Sequence, residues 1–527
     1  MNAELAANPA EEAEWLPSVN PWIIACAVVL AAFIEVLDTT IVSVALPHMA
    51  GSLSATTDEA TWVLTSYLVA NAIILPASGW FSLRFGRKRF LMACTSVFIA
   101  ASFLCGIAPT MGLLVLARIL QGLGGGALQP IAQAVLLESF PKKQRGIAMA
   151  AFGFAVVFAP VVGPTLGGWL TDHYSWRWVF NINIPIGLIG LYMMGRYLED
   201  PPYIKNAKVG RIDSIGFGLL ALWLATLQII LDKGQTSDWF ATIWIRWFAF
   251  VSAAALVALI VRELKAKEPL VDLNAFKNRN FWVGTGIIAI VSAGMYGALT
   301  LLPLYLQNLM GYTAESAGWA TAPRGLGAMI SMPIVGLLLR KIDGRWITVA
   351  GIGLFAVSTF YLGRLTLESS MASIIWPNLG NGCGMGLIFV PIMSLAMATL
   401  PNSKIGNASG IFNLMRNLGG SIGISISTTY VTRFAQIFQS QIVGRLSPMD
   451  PIFQQRLAGA NAHFTPLVGA SQASQVSHGM FYGMVQQQAT YEAFMAVFAW
   501  SALFIAFLLF TPLLMKKVNT SGEIHMH

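Results

Sequence analysis

The sequence predicts an all-α integral membrane protein with fourteen transmembrane helices, and two observations support this fold class. Hydrophobic residues make up 56% of the 527-residue chain and charged residues only 11%, whereas about 25% of the residues in a soluble domain are charged. Apolar runs of about 20 residues, the length that crosses a bilayer as a helix, recur along the whole chain. Soluble enzymes, disordered chains and nucleic-acid-binding proteins are therefore poor fits.

The apolar runs define the individual spans. Backbone groups in hydrocarbon must form hydrogen bonds within their own segment, so each run is expected to be a helix. The predicted spans cover residues 22–47, 60–80, 90–108, 112–137, 146–170, 176–197, 212–231, 240–261, 281–306, 316–338, 346–365, 374–399, 405–430 and 493–515. A segment with ten glutamines, residues 435–490, separates the last two spans. It is either a surface linker or an external hairpin that caps the exit or contacts a partner.

Lys and Arg are concentrated on one side of the predicted membrane. Of the 32 basic residues, 22 lie in loops or tails on that side and 6 on the other, and the positive-inside rule makes the basic side cytoplasmic. An even number of spans then places both termini in the cytoplasm. The net charge of +8 is therefore a topology signal, and no nucleic-acid partner is expected. No basic residue precedes the first apolar run, so no cleaved signal peptide is expected.

A faint internal repeat relates the two halves. Gly79 ends the second span and Gly336 ends the tenth, 257 residues later, and basic residues follow each of them. The repeat predicts two six-helix bundles with two inserted helices between them, a 6 + 2 + 6 arrangement that points to a transporter. The predicted divisions are a cytoplasmic tail (1–21), an N-terminal bundle (22–200), the inserted helices with their flanking loops (201–275), a C-terminal bundle (276–515) and a second tail (516–527).

Two acidic residues in the first span are the strongest functional candidates. Glu35 and Asp38 are three residues apart and therefore share one helix face. A charge at the centre of a membrane helix costs about 2.5–3.5 kcal/mol on insertion scales, so its retention needs a reason. Burial and a neighbouring like charge both favour protonation of a carboxylate. We expect this pair to couple transport to protons; a structural ion pair or a helix-end feature is the alternative.

Polar residues form a stripe on each of two other spans. The stripe on the fourth span comprises Arg118, Gln121, Gln129 and Gln133, and that on the thirteenth comprises Asn413, Arg416 and Asn417. Arg118 is the expected counter-ion of the acidic pair. Each stripe is predicted to line a water-filled substrate cavity, and polar packing between helices is the alternative.

Other motifs concern bending and energy supply. The fifth span contains Pro160, Gly163, Pro164, Gly167 and Gly168, which predict a tightly packed, kinked helix. The sequence has no Gly-x-x-x-x-Gly-Lys-Ser/Thr loop, so ATP-driven pumping is not expected. Its six histidines lack the spacing of zinc ligands, and no metal site or catalytic site is predicted.

Taken together, these motifs resemble the major facilitator superfamily, specifically the fourteen-span drug:proton antiporters of the EmrB/QacA type. Residues 37–47 (LDTTIVSVALP) resemble the family's first-helix signature, and 118–122 (RILQG) its fourth-helix motif. The pattern over 163–168 is similar to a motif associated with exporters, and 176–185 is a further local match. Gly79, Arg84, Gly86 and Arg87 lie in the family's loop motif, although Leu83 stands where an acidic residue is frequent.

The resemblance implies a major facilitator fold in which Asp38 is the membrane acid and Arg118 takes part in proton coupling. It implies a proton-driven multidrug exporter of the bacterial cytoplasmic (inner) membrane, with the proton gradient in place of a cofactor. Some relatives handle cationic drugs with acidic residues in the thirteenth span; Asn413, Arg416 and Asn417 favour neutral or weakly acidic hydrophobic substrates instead. A periplasmic adaptor and an outer-membrane channel are implied as partners.

Three alternatives remain at this point. The first is an exporter of a physiological metabolite or siderophore, because the same helices could serve it. The second, a membrane enzyme that acts on lipid, should show interfacial His, Asp or Ser clusters, which the sequence lacks. The third, a channel, is disfavoured by the kinked, repeated helices.

Overall fold

The protein is described by a computed structural model that covers residues 17–141, 144–205, 213–266, 271, 273–446 and 449–517. Within these ranges the chain forms nineteen α-helices and three short 3-10 helices, and it contains no β-strand. The predicted all-α class is therefore confirmed.

The helices follow one another closely. The first eleven are α1 (Pro21–Ser52), α2 (Thr57–Phe85), α3 (Arg87–Ile107), α4 (Met111–Gly125), α5 (Leu128–Ser139), α6 (Arg145–His173), α7 (Trp178–Asn181), α8 (Asn183–Tyr197), α9 (Pro202–Lys205), α10 (Ser214–Lys233) and α11 (Ile243–Lys265). The other eight are α12 (Arg279–Asn308), α13 (Ala314–Thr321), α14 (Pro323–Leu338), α15 (Gly344–Leu362), α16 (Met371–Met397), α17 (Asn402–Arg445), α18 (Pro451–Val468) and α19 (Ala470–Phe507).

The number of membrane spans is lower than predicted when it is judged by length and composition. Among the described residues, twelve helices are long and apolar enough to cross a membrane. A thirteenth is α6, if its two parts, Arg145–Pro160 and Thr165–His173, which are bent by 42°, form one span. The remaining predicted span, 405–430, lies in α17, where Ser, Thr and Asn recur among the apolar residues. The count of fourteen is therefore not confirmed.

The segment between the last two predicted spans is helical. Helix α17 continues past residue 430 to Arg445, α18 follows, and α19 begins at Ala470, well before the apolar part of the last span. Helix α18 packs against α19, where Phe453 and Phe481 contact each other edge to face with ring centroids 5.5 Å apart. Among the described residues this segment is helical, and it extends α17 and α19 beyond the predicted spans.

The repeated glycines lie where the two halves of the molecule touch. We call the end with the basic loops after α2 and α14 the basic end, and the other the far end. A Cβ on Gly79 would lie 2.8 Å from Cα of Asn407 in α17. A Cβ on Gly336 would lie 3.2 Å from the carbonyl oxygen of Gly146 in α6. Backbones approach this closely only where glycine removes the side chain, so the halves are in close contact at the basic end.

The inserted helices occupy two different environments. Helix α11 exposes large apolar side chains such as Trp247 and Phe250 along its outer face. Helix α10, in contrast, is bonded to both halves at the far end. Its Asp232 accepts a 2.6 Å hydrogen bond from Thr65 of α2, and its Leu231 carbonyl accepts one of 2.7 Å from Ser425 of α17. Helix α10 therefore bridges the halves at the far end. Of the two inserted helices, α11 is the peripheral one.

Candidate functional site

Asp38 and Arg118 form a fully buried ion pair between α1 and α4. Nη1 of Arg118 lies 2.5 Å from Oδ2 of Asp38, and neither side chain is exposed. The other carboxylate oxygen, Oδ1, accepts hydrogen bonds from Gln121 at 2.9 Å and from Asn183 of α8 at 2.8 Å. Buried charges are retained in proteins when they are paired and hydrogen-bonded, and Asp38 satisfies both conditions.

Arg118 is itself held by several groups. Its Nε donates to the carbonyl oxygen of Val63 at 2.9 Å, and its Nη1 also donates to Gln121 at 2.8 Å. The guanidinium lies 4.1 Å from the ring centroid of Tyr67, within the range of a cation–π contact. The arginine is thus fixed in place, and one of its three nitrogens, Nη2, forms no hydrogen bond among the described residues.

Glu35 belongs to a separate cluster, although it lies one turn from Asp38. Its carboxylate accepts a 2.8 Å hydrogen bond from Asn71 of α2 and a second bond from the side-chain amide of Gln129 in α5. No lysine or arginine among the described residues lies within 4.0 Å of it. The two carboxylates therefore have different partners: a guanidinium holds Asp38, and neutral amides hold Glu35.

Two residues of the fourth-span stripe, Gln129 and Gln133, meet the stripe of the thirteenth predicted span. Nη2 of Arg416 donates to Oε1 of Gln129 at 2.5 Å, and Asn413 donates to Oε1 of Gln133 at 2.7 Å. All four side chains are buried, while Asn417 is half-buried beside them. In this conformation these four side chains form a hydrogen-bonded seam between the halves, and cavity lining by the stripes stays a prediction. Gln129 also connects Glu35 to Arg416.

The loop motif between α2 and α3 is bound to two other helices. Arg87, which is buried, forms an ion pair with Glu138 of α5, and the hydroxyl of Tyr203 in α9 donates to the same carboxylate. Burial raises the pKa of the Tyr203 phenol well above its usual range, so the hydroxyl remains a donor. Gly86 has a φ of +87°. Arg84 is exposed at the end of α2, so Arg87 is the arginine of the motif that forms a buried pair.

The glycines of α6 bring that helix against α1 just beyond Asp38. A Cβ on Gly163 would lie 2.9 Å from Cβ of Thr40, and one on Gly167 would lie 2.8 Å from the carbonyl oxygen of Ile41. Gly168 is less crowded, and Pro160 is half-buried. The side chain of Pro164 lies outside the described residues. Helix α6 therefore packs directly on the turn of α1 that follows the buried acid.

Several residues of the site carry no role in the sequence-based prediction. They are Tyr67, Asn71, Glu138, Asn183 and Tyr203. The apolar runs are interrupted by Asn71, Glu138 and Asn183. A polar residue in such a run is the one feature of the sequence that could have identified these three. Their partners lie 36 to 145 positions away along the chain, so helical periodicity cannot identify them.

Comparison with known proteins agrees with this architecture. The family model for the Major Facilitator Superfamily matches residues 28–424. The multidrug export protein EmrB of Escherichia coli K12 is 36% identical over 88% of this chain and 90% of its own length. The fatty acid resistance protein FarB of Neisseria gonorrhoeae is 35% identical over 94% of this chain and 96% of its own length.

Solved structures show the same fold at low sequence identity. The human organic anion transporter MFSD10 aligns with a TM-score of 0.58 at 13% identity, over 92% of this chain and 100% of its own. The proton:xylose symporter XylE aligns with a TM-score of 0.58 at 15% identity, over 93% of this chain and 96% of its own. At these identities the likeness establishes the fold alone.

Proposed function

The chain belongs to the major facilitator superfamily, whose members are transporters and not enzymes, and on this basis we propose that it is a proton-driven multidrug exporter. Its substrates are hydrophobic compounds that are neutral or weakly acidic. The names of the relatives EmrB and FarB support export of toxic compounds. The observation that carries proton coupling is the arrangement of two carboxylates inside α1, one paired with Arg118 and one linked to the opposite half.

The proposed topology has fourteen spans. Helix α17 is the additional span: it is 44 residues long, and its polar side chains at Asn413 and Arg416 are bonded to α5 instead of facing lipid. Helix α6 counts as one bent span. The basic end is then cytoplasmic, and both termini lie in the cytoplasm of a cell whose inner membrane holds the protein.

In the proposed cycle, Asp38 takes up a proton from the outer side. Protonation removes the charge that attracts Arg118, and this favours release of substrate to the outside. Glu35 is linked to the other half, because Gln129 bonds both to the carboxylate of Glu35 and to Arg416 of α17. A proton on the Glu35 oxygen that faces Gln129 places a donor opposite the donating nitrogen of that amide. The amide then reorients, and its contact with Arg416 weakens. The halves can then separate at the cytoplasmic end.

The energy of one proton is sufficient for such a cycle. A membrane potential of 100 mV contributes about 2.3 kcal/mol for each inward charge. This energy corresponds to roughly fiftyfold accumulation of a neutral compound, because about 1.4 kcal/mol is worth a factor of ten.

The far-end helical extension suits a protein partner. Ile452 and Leu467 of α18 are 63% and 68% exposed, in a segment with few charged residues. Exposed apolar side chains grouped on one element indicate an interaction site. We propose that α18 contacts a periplasmic adaptor protein that leads to an outer-membrane channel.

Proton coupling is tested with Asp38→Asn in inside-out vesicles, where substrate addition should release protons from an acidified lumen. The wild-type protein should show substrate-driven proton movement, and Asp38→Asn should abolish it. Asp172→Asn is the control, because Asp172 is an exposed carboxylate at the far end of α6 and should behave like the wild type. Undiminished proton movement in Asp38→Asn would remove Asp38 from the mechanism.

A further inference from the structure

The internal repeat extends to the buried polar residues. Helices α4 and α16 both begin with Met, at Met111 and Met371, 260 positions apart. At the same spacing, glycines 122, 124 and 126 recur as glycines 382, 384 and 386. Arg118 then corresponds to Asn378, and Gln121 to Asn381.

A second pair of helices is related in the same way. Helices α2 and α14 are related by 257 positions, which matches Pro76 with Pro333 as well as Gly79 with Gly336. Under this spacing Tyr67 corresponds to Arg324. In the first half, the ring of Tyr67 lies against Arg118. In the second half, Nη2 of Arg324 donates to Oδ1 of Asn378 at 3.0 Å. The two corresponding positions are therefore in contact in both halves. The arginine lies on the α4 position in the first half and on the α14 position, which corresponds to α2, in the second.

Among the described residues, Arg324 has no acidic partner that corresponds to Asp38. Helix α12 begins the C-terminal half as α1 begins the N-terminal half. Unlike α1, it contains no Asp or Glu, and the same is true of α14, α15, α16 and α17. Among the described residues, no carboxylate lies within 4.0 Å of Arg324. Arg324 is 5% exposed. Removing an arginine from water without a counter-charge is costly, so a purely structural role leaves this cost without compensation.

Two buried donor nitrogens of the Arg324 cluster lack an acceptor. Nε of Arg324 is buried and has no hydrogen-bond partner among the described residues, and the same is true of Nδ2 of Asn381. Oδ1 of Asn381 is occupied by the hydroxyl of Thr359 at 3.1 Å. Nδ2 of Asn378 is occupied by the carbonyl oxygen of Ile374 at 2.9 Å. The cluster therefore has two unused donors and a positive charge, a combination that suits an anion.

We propose that Arg324 and Asn381 bind the carboxylate of an acidic amphiphile, with Asn378 orienting the guanidinium. The guanidinium presents paired donors in a plane that matches a carboxylate. Ile374 and Ala320, whose carbonyl oxygens accept hydrogen bonds from Asn378, are apolar and buried, and apolar surroundings suit a hydrocarbon chain. This inference rests on the proposed function. It places the binding site for weakly acidic substrates in the C-terminal half.

The test is a binding measurement that does not depend on transport. Purified protein in lipid nanodiscs is titrated with decanoate, methyl decanoate and acetate at pH 8, and binding is followed by calorimetry. In the wild type, decanoate should bind at least about tenfold more tightly than the uncharged ester, as expected for a charge-assisted pair. Acetate has the carboxylate without the chain and should bind far more weakly than decanoate.

Two variants locate the site. Arg324→Gln should reduce decanoate affinity by about tenfold or more and leave methyl decanoate unchanged, and Arg324→Lys should recover part of the loss. Arg364→Gln is the control, because Arg364 is exposed. If Arg324→Gln does not fold, Asn381→Leu removes one unused donor and should weaken decanoate selectively.

Three results would overturn the assignment: equal binding of acid and ester by the wild type, an equal loss of both ligands in Arg324→Gln, or acetate binding as tightly as decanoate. Failure of the proposed function is distinguishable from these. A wild type that binds decanoate through Arg324 but moves no protons in vesicles would keep the site and refute the antiport.

Discussion

Arg416 of α17 donates a 2.5 Å hydrogen bond to Gln129 of α5, and this contact joins the two halves of the molecule next to a buried carboxylate. Gln129 uses its oxygen for Arg416 and its nitrogen for Glu35. In the proposed cycle, a change in the protonation of Glu35 would reach the opposite half through this one amide. The neighbouring bond between Gln133 and Asn413 has a similar position but no carboxylate attached.

The first prediction compares these two bonds. Gln133→Leu should lower the free energy of unfolding by about 1–3 kcal/mol, because it leaves a buried amide unsatisfied, and Gln129→Leu should lower it by more, because its partners are charged groups. Only Gln129→Leu should change the pH dependence of transport, since only Gln129 contacts Glu35. Transport rates measured across a range of external pH would show this difference. Identical pH profiles for the two variants would contradict a role of Gln129 in signalling between the halves.

The second prediction concerns the ion pair of Asp38 and Arg118. Arg118→Gln leaves a buried carboxylate without its counter-charge and should cost about 3–5 kcal/mol of stability. The double variant Asp38→Asn/Arg118→Gln should lose less than the sum of the single variants, as measured by equilibrium unfolding in mixed micelles.

A matched control for this cycle is Arg262→Gln. Arg262 and Asp213 form an ion pair of 2.9 Å in which the arginine side chain is 45% exposed, so its loss should change stability little. Strict additivity at Asp38 and Arg118 would mean that the two side chains do not interact energetically.

The third prediction addresses the contact at the basic end. Gly79→Val places branched carbon atoms against the backbone of Asn407, so it should prevent the halves from closing there. Growth in the presence of toxic substrates should be lost, although the protein is still made and inserted. Gly112→Ala is the control, because a Cβ on Gly112 meets nothing within 4 Å. Full drug resistance in Gly79→Val would show that this contact does not form during transport.

The fourth prediction separates the far-end extension from the transport core. Ile452→Glu combined with Leu467→Glu should lower drug resistance in whole cells, because it places charges on the proposed adaptor surface. Proton-coupled transport in vesicles should be unaffected, since α18 lies outside the core. Gln455→Glu, at another exposed position of α18, is the control for added charge. An equal loss in cells and vesicles would argue against a partner on this surface.

Some of the architecture follows directly from the chain's composition. The all-α class, the twelve helices that are long and apolar enough to span a membrane and the concentration of Lys and Arg at one end depend only on local hydropathy and charge. Span 405–430 differs because Asn413 and Arg416 lower its hydropathy, and what compensates them lies on another helix. The hydropathy of a segment contains no information about a partner on another helix.

The same limit applies to the site. Periodicity placed Glu35 and Asp38 on one face and predicted Arg118 as a counter-ion, and the structure places Arg118 against Asp38. Periodicity could not show that Glu35 has amide partners instead, because Asn71 and Gln129 reach it from two other helices. Nor could it show that α10 bonds to both halves.

The sequence by itself determined what had to leave water: apolar runs, their length and the few charges within them. Only the tertiary structure decided which buried charge is paired and which is not. The physical reason is that burial is a property of each segment, whereas the compensation of a buried charge depends on a partner brought close by packing. Asp38 has such a partner in Arg118, and Arg324 has none among the described residues.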